Sequence, residues 1–221
     1  MPSPMVHLCV AKNCIAWGYQ VNDMPQFYLG AISPDAIHSR PGAGRAAKNH
    51  THLMPPGMWW RDVNQNEYFK FMNEFIAANI NNTNVDFLLG YGIHILTDMH
   101  WTQTVYSKFV EDYKKSARPI SEMQKAYYHD MDIHEYALYC QYIRNSDLWK
   151  CLQNPGYADF LDLLTAEEIK SWNERTQNWF DAPENQHKFE GEPKYISMLN
   201  TEEFISSCAG LIVSNINGRA S

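Results

Sequence analysis

The pair His94 and Asp98 has the spacing that two metal ligands on one helix need. Their positions differ by four, so their side chains leave the same helical face one turn apart. The neighbouring residues are mostly apolar, and a carboxylate in such surroundings is costly unless a cation or hydrogen-bond donors compensate it. A divalent metal ion would satisfy both groups at once. A simple Asp–His hydrogen bond or an exposed polar stripe is the alternative interpretation.

A long upstream segment, residues 33–57, offers a second acid and further histidines. Asp35 lies at its start and His52 towards its end. Combined with the helical pair, they form a four-ligand nitrogen and oxygen set that suits zinc, with water or substrate completing the shell if one ligand binds weakly. Asp35 follows a proline and would serve equally well as a turn or cap residue. His50 and His52 would then lie on a loop surface.

The composition is that of a folded protein and limits the classes of function. Of 221 residues, 45% are apolar and 19% are charged, which excludes a disordered chain. The net charge of −7 and the absence of a Lys/Arg cluster argue against binding to a nucleic-acid backbone. Neither a secretory signal nor a membrane-spanning stretch is predicted. Five cysteines without CxxC spacing indicate reduced thiols, so we expect a cytoplasmic protein.

Helical periodicity predicts the elements that must position these residues, and no stretch alternates as a half-buried strand does. We therefore expect an all-α fold, a single-domain helical bundle over residues 1–221 with a metal-binding cleft. The predicted helices are one beginning at Pro2 or Pro4, one from about Val85 to beyond Trp101, one from a Ser121/Gln124 capping box to Cys140, one from a Thr165/Glu168 capping box to Phe180, and one over 204–216 that Gly218 ends. Residues 33–57 and 181–193 are predicted to be loops.

Three motifs in order resemble the zinc-dependent phospholipase C family. They are residues 27–38 (FYLGAISPDAIH), then Lys48-x-x-Thr51-His52-Leu53, then Gly90-Tyr91-x-x-His94-x-x-Thr97-Asp98-x-x-Trp101. An N-terminal histidine, His7, agrees with the same pattern. The resemblance covers about residues 5–140 and leaves the C-terminal third unexplained.

The resemblance implies an all-helical bundle that holds two or three zinc ions, or other divalent metals, in a cleft. Asp35, His52, His94 and Asp98 match the ligands of one ion. His7 and Asp98 match ligands of a second ion, with Asp98 bridging the two. The family supplies a further ligand from an N-terminal tryptophan, whereas the sequence here has Met1.

The family's remaining ion takes histidines and an acid from later in the chain, and residues 127–135 are the obvious location. Asp130 and His134 are four residues apart there, and we select Asp130 as the ligand. The alternative is that this segment is the solvated polar face of a long helix. His100 follows Asp98 by two residues and points away from the ligand face, so we expect it to be a supporting or structural residue.

The expected function is hydrolysis of a phosphoester, most simply a phosphodiester, by a zinc-activated water. Asp35 is the predicted catalytic residue, which orients or deprotonates that water. His38, Lys48 and His50 are predicted to bind the substrate, a small molecule or a lipid.

Two other hypotheses remain open from the sequence. His129-Asp130 is an HD dipeptide, and with His94 and Asp159 or Asp162 it would indicate an HD-type nucleotide phosphohydrolase. Alternatively, the bundle is a catalytically silent binding module that keeps a metal for stability and offers its aromatic residues to a partner.

Overall fold

Helices account for most of the chain in the computed structural model, which describes residues 1–216. The α-helices are α1 (Pro4–Ala16), α2 (Met24–Gly30), α3 (Arg45–Thr51), α4 (Gln65–Asn79), α5 (Val85–Trp101), α6 (Ser107–Lys115), α7 (Met123–Leu138), α8 (Asp147–Cys151), α9 (Ala166–Asn178) and α10 (Met198–Asn215). Within residues 1–216 there is no β-sheet, only an isolated bridge between Phe160 and Leu164. The predicted all-α fold class is confirmed. None of the described helices is long and apolar enough to cross a bilayer.

Shorter helical turns connect these helices. The 3₁₀ turns are Ser33–Ser39, Trp60–Asp62, Ile120–Glu122 and Pro183–Phe189, and wide π-helical turns extend α5 over Thr102–Tyr106 and α7 over Tyr139–Ile143. The prediction of irregular loops at 33–57 and 181–193 is therefore wrong. Both segments contain helical turns too short to give a periodic pattern.

Capping residues explain where several helices begin. The Asn84 side chain accepts hydrogen bonds from the backbone of Asp86 and Phe87 at the start of α5. The predicted capping box of Thr165 and Glu168 opens α9. The one predicted at Ser121 is wrong, because α7 begins at Met123 after a 3₁₀ turn and has no side-chain cap. The predicted stop at Gly218 lies outside the described residues.

Helix α5 forms the centre of the bundle. Every residue from Asp86 to Met99 is buried, as expected for a helix that is surrounded on all sides. Helices α1, α2, α4 and α10 pack around it. Polar side chains on this helix therefore lie in the core, where each needs a partner.

Two glycines allow α2 and α5 to cross in backbone contact. A Cβ atom on Gly90 would collide with the carbonyl oxygen of Phe27, and one on Gly30 would collide with that of Phe87. The crossing brings the carbonyl of Ala31, just after α2, next to His94 on α5. The close packing of these helices thus contributes directly to the position of a candidate ligand.

Candidate metal centre

Five buried residues from four parts of the chain meet beside α5. His7 comes from α1, Asp35 from the turn Ser33–Ser39, His52 from the C-terminal end of α3, and His94 and Asp98 from α5. They form two groups that could hold a metal ion, one of His7, His94 and Asp98 and one of Asp35, His52 and His94. Asp35 is 7% exposed and the other four are at most 1% exposed. These are five of the residues that the sequence predicted as ligands.

Asp98 divides its two oxygens between the imidazoles. Its Oδ2 lies 3.4 Å from His52 Nε2 and 3.7 Å from His94 Nε2, whereas its Oδ1 lies 3.5 Å from His7 Nε2. Asp35 belongs to the other group, with Oδ1 3.4 Å from His52 Nε2 and Oδ2 3.9 Å from His94 Nε2. The rings of His7 and His94 stack with centroids 3.7 Å apart.

Backbone carbonyls fix the orientation of two imidazoles. His94 Nδ1 donates to the Ala31 carbonyl at 2.9 Å, and His52 Nδ1 donates to the Lys48 carbonyl at 2.9 Å. A ring that donates from Nδ1 presents its Nε2 lone pair on the opposite side, as metal-ligating histidines do. Tyr91 holds the chain next to His52, because its hydroxyl donates a hydrogen bond to the carbonyl of Thr51.

The atoms that face one another are polar and unpartnered. The Nε2 atoms of His7, His52 and His94 and both oxygens of Asp98 are buried without a hydrogen-bond partner. Buried polar atoms are normally hydrogen-bonded, so each exception needs a physical reason. A cation in each of the two groups would satisfy these atoms.

The protonation states of the metal-free cluster also suit a cation. Burial lowers the pKa of His94 to about 3, so that its ring is neutral. Burial acts to raise the pKa of Asp98, but the contact with His7 and the charge of neighbouring imidazoles outweigh it and bring the pKa to about 2. Neutral imidazoles and ionised carboxylates are the forms that bind a divalent metal.

The spacing of the donors matches the size of a small tetrahedral site. Metal–nitrogen and metal–oxygen bonds of about 2.0–2.2 Å place neighbouring ligand atoms roughly 3.3–3.6 Å apart in a tetrahedron. The measured separations around Asp35, His52, His94 and Asp98 range from 3.4 to 3.9 Å. Asp35, His52 and His94 therefore have the spacing of a metal-binding group, and Asp98 Oδ2 lies within 3.7 Å of both imidazoles.

Lys48 and His38 lie where the cluster meets solvent. Lys48 Nζ is 2.9 Å from Asp35 Oδ1 and 3.1 Å from His38 Nε2. Burial acts to raise the pKa of Asp35, but Lys48, His38 and His52 together hold it well below its usual value. Asp35 is thus an anion shared between the buried cluster and the rim.

Two cavities open on either side of this rim, and Met1, His38 and Lys48 border both. The small cavity has a volume of about 250 Å³ and is lined by Asp35, Glu135, Trp172, Arg175 and Trp179, among others. The large cavity, about 830 Å³, reaches His52 and has a mainly apolar wall that includes Ile37, Met54, Trp60, Tyr106 and Val110.

The structure does not bring Asp130 to the cluster, and its choice as a ligand needs correction. Its Oδ1 accepts from the backbone N–H of Lys194 at 2.8 Å, and its Oδ2 accepts from those of Tyr195 and Ile196 at 2.7 and 2.9 Å. These donors already compensate its charge, and it joins neither metal-binding group found among the described residues. The alternative of a solvated polar face is equally wrong for Asp130, which is fully buried.

His50 and His100 also lie away from the cluster. His50 is exposed on α3 and lines neither cavity, so the structure does not place it with His38 and Lys48. His100 contacts Gln65 and stacks on Phe204, in agreement with the structural role expected for it. No metal-binding group found within residues 1–216 includes His129 and Asp130, as an HD-type site would require, and Asp159 accepts from the backbone of Ala166.

Glu135 on α7 was missed by the sequence-based prediction. It is 7% exposed and lines the small cavity with Asp35. The signal was present, because Tyr127, Met131 and Leu138 form the buried face of α7 and position 135 continues that stripe. A carboxylic acid at a core position of this kind is rarely a packing residue.

Comparisons with protein-family models, curated protein sequences and solved structures give no match to this chain.

Proposed function

We propose that this protein is a metal-dependent phosphoester hydrolase, with phosphodiesters as the preferred substrates and zinc as the preferred metal. The observation that carries the proposal is the convergence of three unpartnered Nε2 atoms on the unpartnered carboxylate of Asp98, beneath a rim that carries Lys48. A buried cation site next to an accessible positive charge is suited to an anionic substrate.

Asp35, His52, His94 and Asp98 would hold one zinc ion, and His7 with the second oxygen of Asp98 would contribute to another. This donor set, imidazole nitrogen with carboxylate oxygen, favours zinc over the harder magnesium and calcium ions, which prefer oxygen alone. When bound, zinc polarises phosphoryl oxygens and lowers the pKa of a bound water towards neutrality.

The chain's own residues would then perform three tasks. Lys48 lies at the junction of the two cavities, where its ammonium group can pair with a non-bridging phosphate oxygen. His38 stands beside it and supplies a second polar contact. Asp35, held by Lys48 at the edge of the cluster, accepts a hydrogen bond from the attacking water and receives its proton as the new bond to phosphorus forms.

The large apolar cavity supports a diester over a monoester. Its volume of about 830 Å³ accommodates an organic group on the side of the phosphate that faces His52. The small cavity on the other side of Lys48 leaves room for a second ester group.

The decisive experiment combines metal analysis with turnover. Protein purified without chelator is expected to contain near-stoichiometric divalent metal and, with zinc added, to hydrolyse bis(p-nitrophenyl) phosphate faster than p-nitrophenyl phosphate. Asp98→Asn should abolish both metal content and turnover. Asp147→Asn, a change to an exposed aspartate paired with Lys150 on α8, is the matched control and should alter neither.

Absence of metal from the wild-type protein would overturn the proposal. Metal-loaded protein that is inactive on every phosphomonoester and phosphodiester tested would also overturn it, and would favour a binding module that keeps a structural metal.

A further inference from the structure

Glu135 is a buried acid beside the proposed site to which the mechanism above gives no role. It lies on α7 in the wall of the small cavity, with Asp35 in the same lining and Arg175 of α9 on another side. No ion pair within 4 Å involves Glu135 among the described residues. The residue thus borders the cavity as a carboxyl group without a compensating cation in contact.

The surroundings of Glu135 favour its neutral form. Burial, followed by the charge of Asp132 one turn earlier on α7, raises its pKa to about 8, and Asp35 acts in the same direction. The backbone N–H of Met5 at the start of α1 and the charge of Arg175 act in the opposite direction without reversing the shift. At neutral pH the group is a carboxylic acid with a proton to donate.

The position of the two cavities relative to Lys48 indicates which atom would accept this proton. A phosphate bound at Lys48 and His38 would direct one ester oxygen into the large cavity and the other into the small cavity, because both residues border both spaces. The acid of Glu135 is on the small side only. As the water that Asp35 orients attacks phosphorus, negative charge develops on the leaving oxygen. A proton donor next to that oxygen would neutralise this charge.

We propose, resting on the function proposed above, that Glu135 is the general acid of the reaction and donates its proton to the leaving-group oxygen in the small cavity. The water oxygen forms the new P–O bond while the bond from phosphorus to the leaving oxygen breaks. The electron pair of that bond stays on the leaving oxygen, which takes the proton of Glu135 and departs as a neutral alcohol. Asp35 has received the proton of the water, and it passes through solvent to restore the acid form of Glu135.

The test varies the basicity of the leaving group. A series of methyl aryl phosphates, from p-nitrophenyl to p-methoxyphenyl, is assayed with zinc-loaded wild type and Glu135→Gln. Glutamine keeps the size and neutrality of the protonated acid but has no acidic proton. We expect Glu135→Gln to stay within about threefold of wild type on the p-nitrophenyl ester and to lose about 100-fold on the p-methoxyphenyl ester.

The matched control is Asp147→Asn, which alters an exposed aspartate that pairs with Lys150 on α8 and lines neither cavity. It should leave the rates on all members of the series unchanged. Glu135→Asp, which retains an acid at shorter reach, should restore part of the dependence that Glu135→Gln loses, and it keeps the test informative if the glutamine variant does not fold.

The possible outcomes separate the two proposals. An equal loss on all esters in Glu135→Gln, with metal content and folding intact, would overturn the assignment of Glu135 and leave the hydrolase proposal standing. Inactivity of the zinc-loaded wild type on the p-nitrophenyl ester, which needs no acid to depart, would overturn the hydrolase proposal itself.

Discussion

Asp98 on α5 and Asp130 on α7 are both fully buried carboxylates in the middle of long helices, yet their charges are compensated in different ways. Asp130 accepts three backbone N–H groups from residues 194–196, and this fixes the loop before α10. Asp98 has no such donor and faces three imidazole nitrogens that are themselves unpartnered. A buried acid with amide donors is a structural element, whereas one that faces only lone pairs calls for a cation.

The largest expected effect separates the two aspartates by metal affinity. Asp98→Asn removes the carboxylate that faces all three unpartnered imidazoles, so zinc affinity should fall by more than the roughly 10–100-fold that loss of an outer partner of a ligand costs. Asp130→Asn should bind zinc as the wild type does. Competitive titration with a chromophoric chelator measures both variants. An equal loss of zinc affinity in the two variants would contradict the assignment of Asp98 as a ligand and of Asp130 as a structural residue.

The second prediction concerns the stability of the folded protein, and here it is Asp130 whose substitution has the effect. In Asp130→Asn, the amide nitrogen replaces an oxygen that accepts from the backbone, and two donors then face each other. We expect the free energy of unfolding to fall by about 1–3 kcal/mol. Urea unfolding monitored by circular dichroism measures the change in the metal-free proteins, and an undisturbed midpoint would show that the three N–H contacts contribute little.

The third prediction uses pH in the metal-free protein. The pKa of His94 is lowered from 6.5 to about 3, so between these values the unfolded chain binds more protons than the folded one. This contribution to stability is fully present above pH 6.5 and decreases as the pH falls, by about 1.4 kcal/mol per pH unit for one proton. Denaturant titrations at a series of pH values measure the slope. Asp130→Asn should retain this slope, because His94 and its surroundings are unchanged in that variant.

The smallest effect is expected at an outer contact of the cluster. Thr51 Oγ1 lies 3.1 Å from His52 Nδ1, but the Lys48 carbonyl is closer at 2.9 Å. Thr51→Val keeps the shape and removes the hydroxyl, so zinc affinity should fall by no more than about tenfold. The same chelator titration applies. A loss as large as that in Asp98→Asn would mean that Thr51, not the carbonyl, orients the ring.

The comparison also shows how far the sequence could predict the site. The spacing of His94 and Asp98 places both on one helical face, and the ordered motifs predicted that Asp35, His52 and His7 would join them, which the structure bears out as a spatial cluster. Asp130 has a similar spacing to His134, but its partners are backbone amides more than sixty residues later in the chain. The spacing of side chains does not show which backbone amides will lie nearby in the fold. Spacing alone therefore could not distinguish the structural role of Asp130 from the ligand role expected for Asp98.

Two other differences have local causes. The helical turns within 33–57 are shorter than the window in which periodicity becomes visible, and π-helical turns after α5 and α7 shift the register of residues beyond them. Glu135 was not predicted, because the spacing of polar residues in 127–135 does not register the buried apolar stripe in which it lies. An acid that interrupts a core stripe is the more informative signal.

The direct contact of α2 with α5 at Gly30 and Gly90 has a consequence for how the cluster tolerates sequence change. Neither glycine touches a donor atom, yet any side chain at either position acts as a wedge that would lift Ala31 away from the ring of His94. Saturation mutagenesis scored by zinc retention should therefore find both positions as intolerant as the imidazoles themselves. The steric constraint on the cluster thus extends to two residues that have no chemistry of their own.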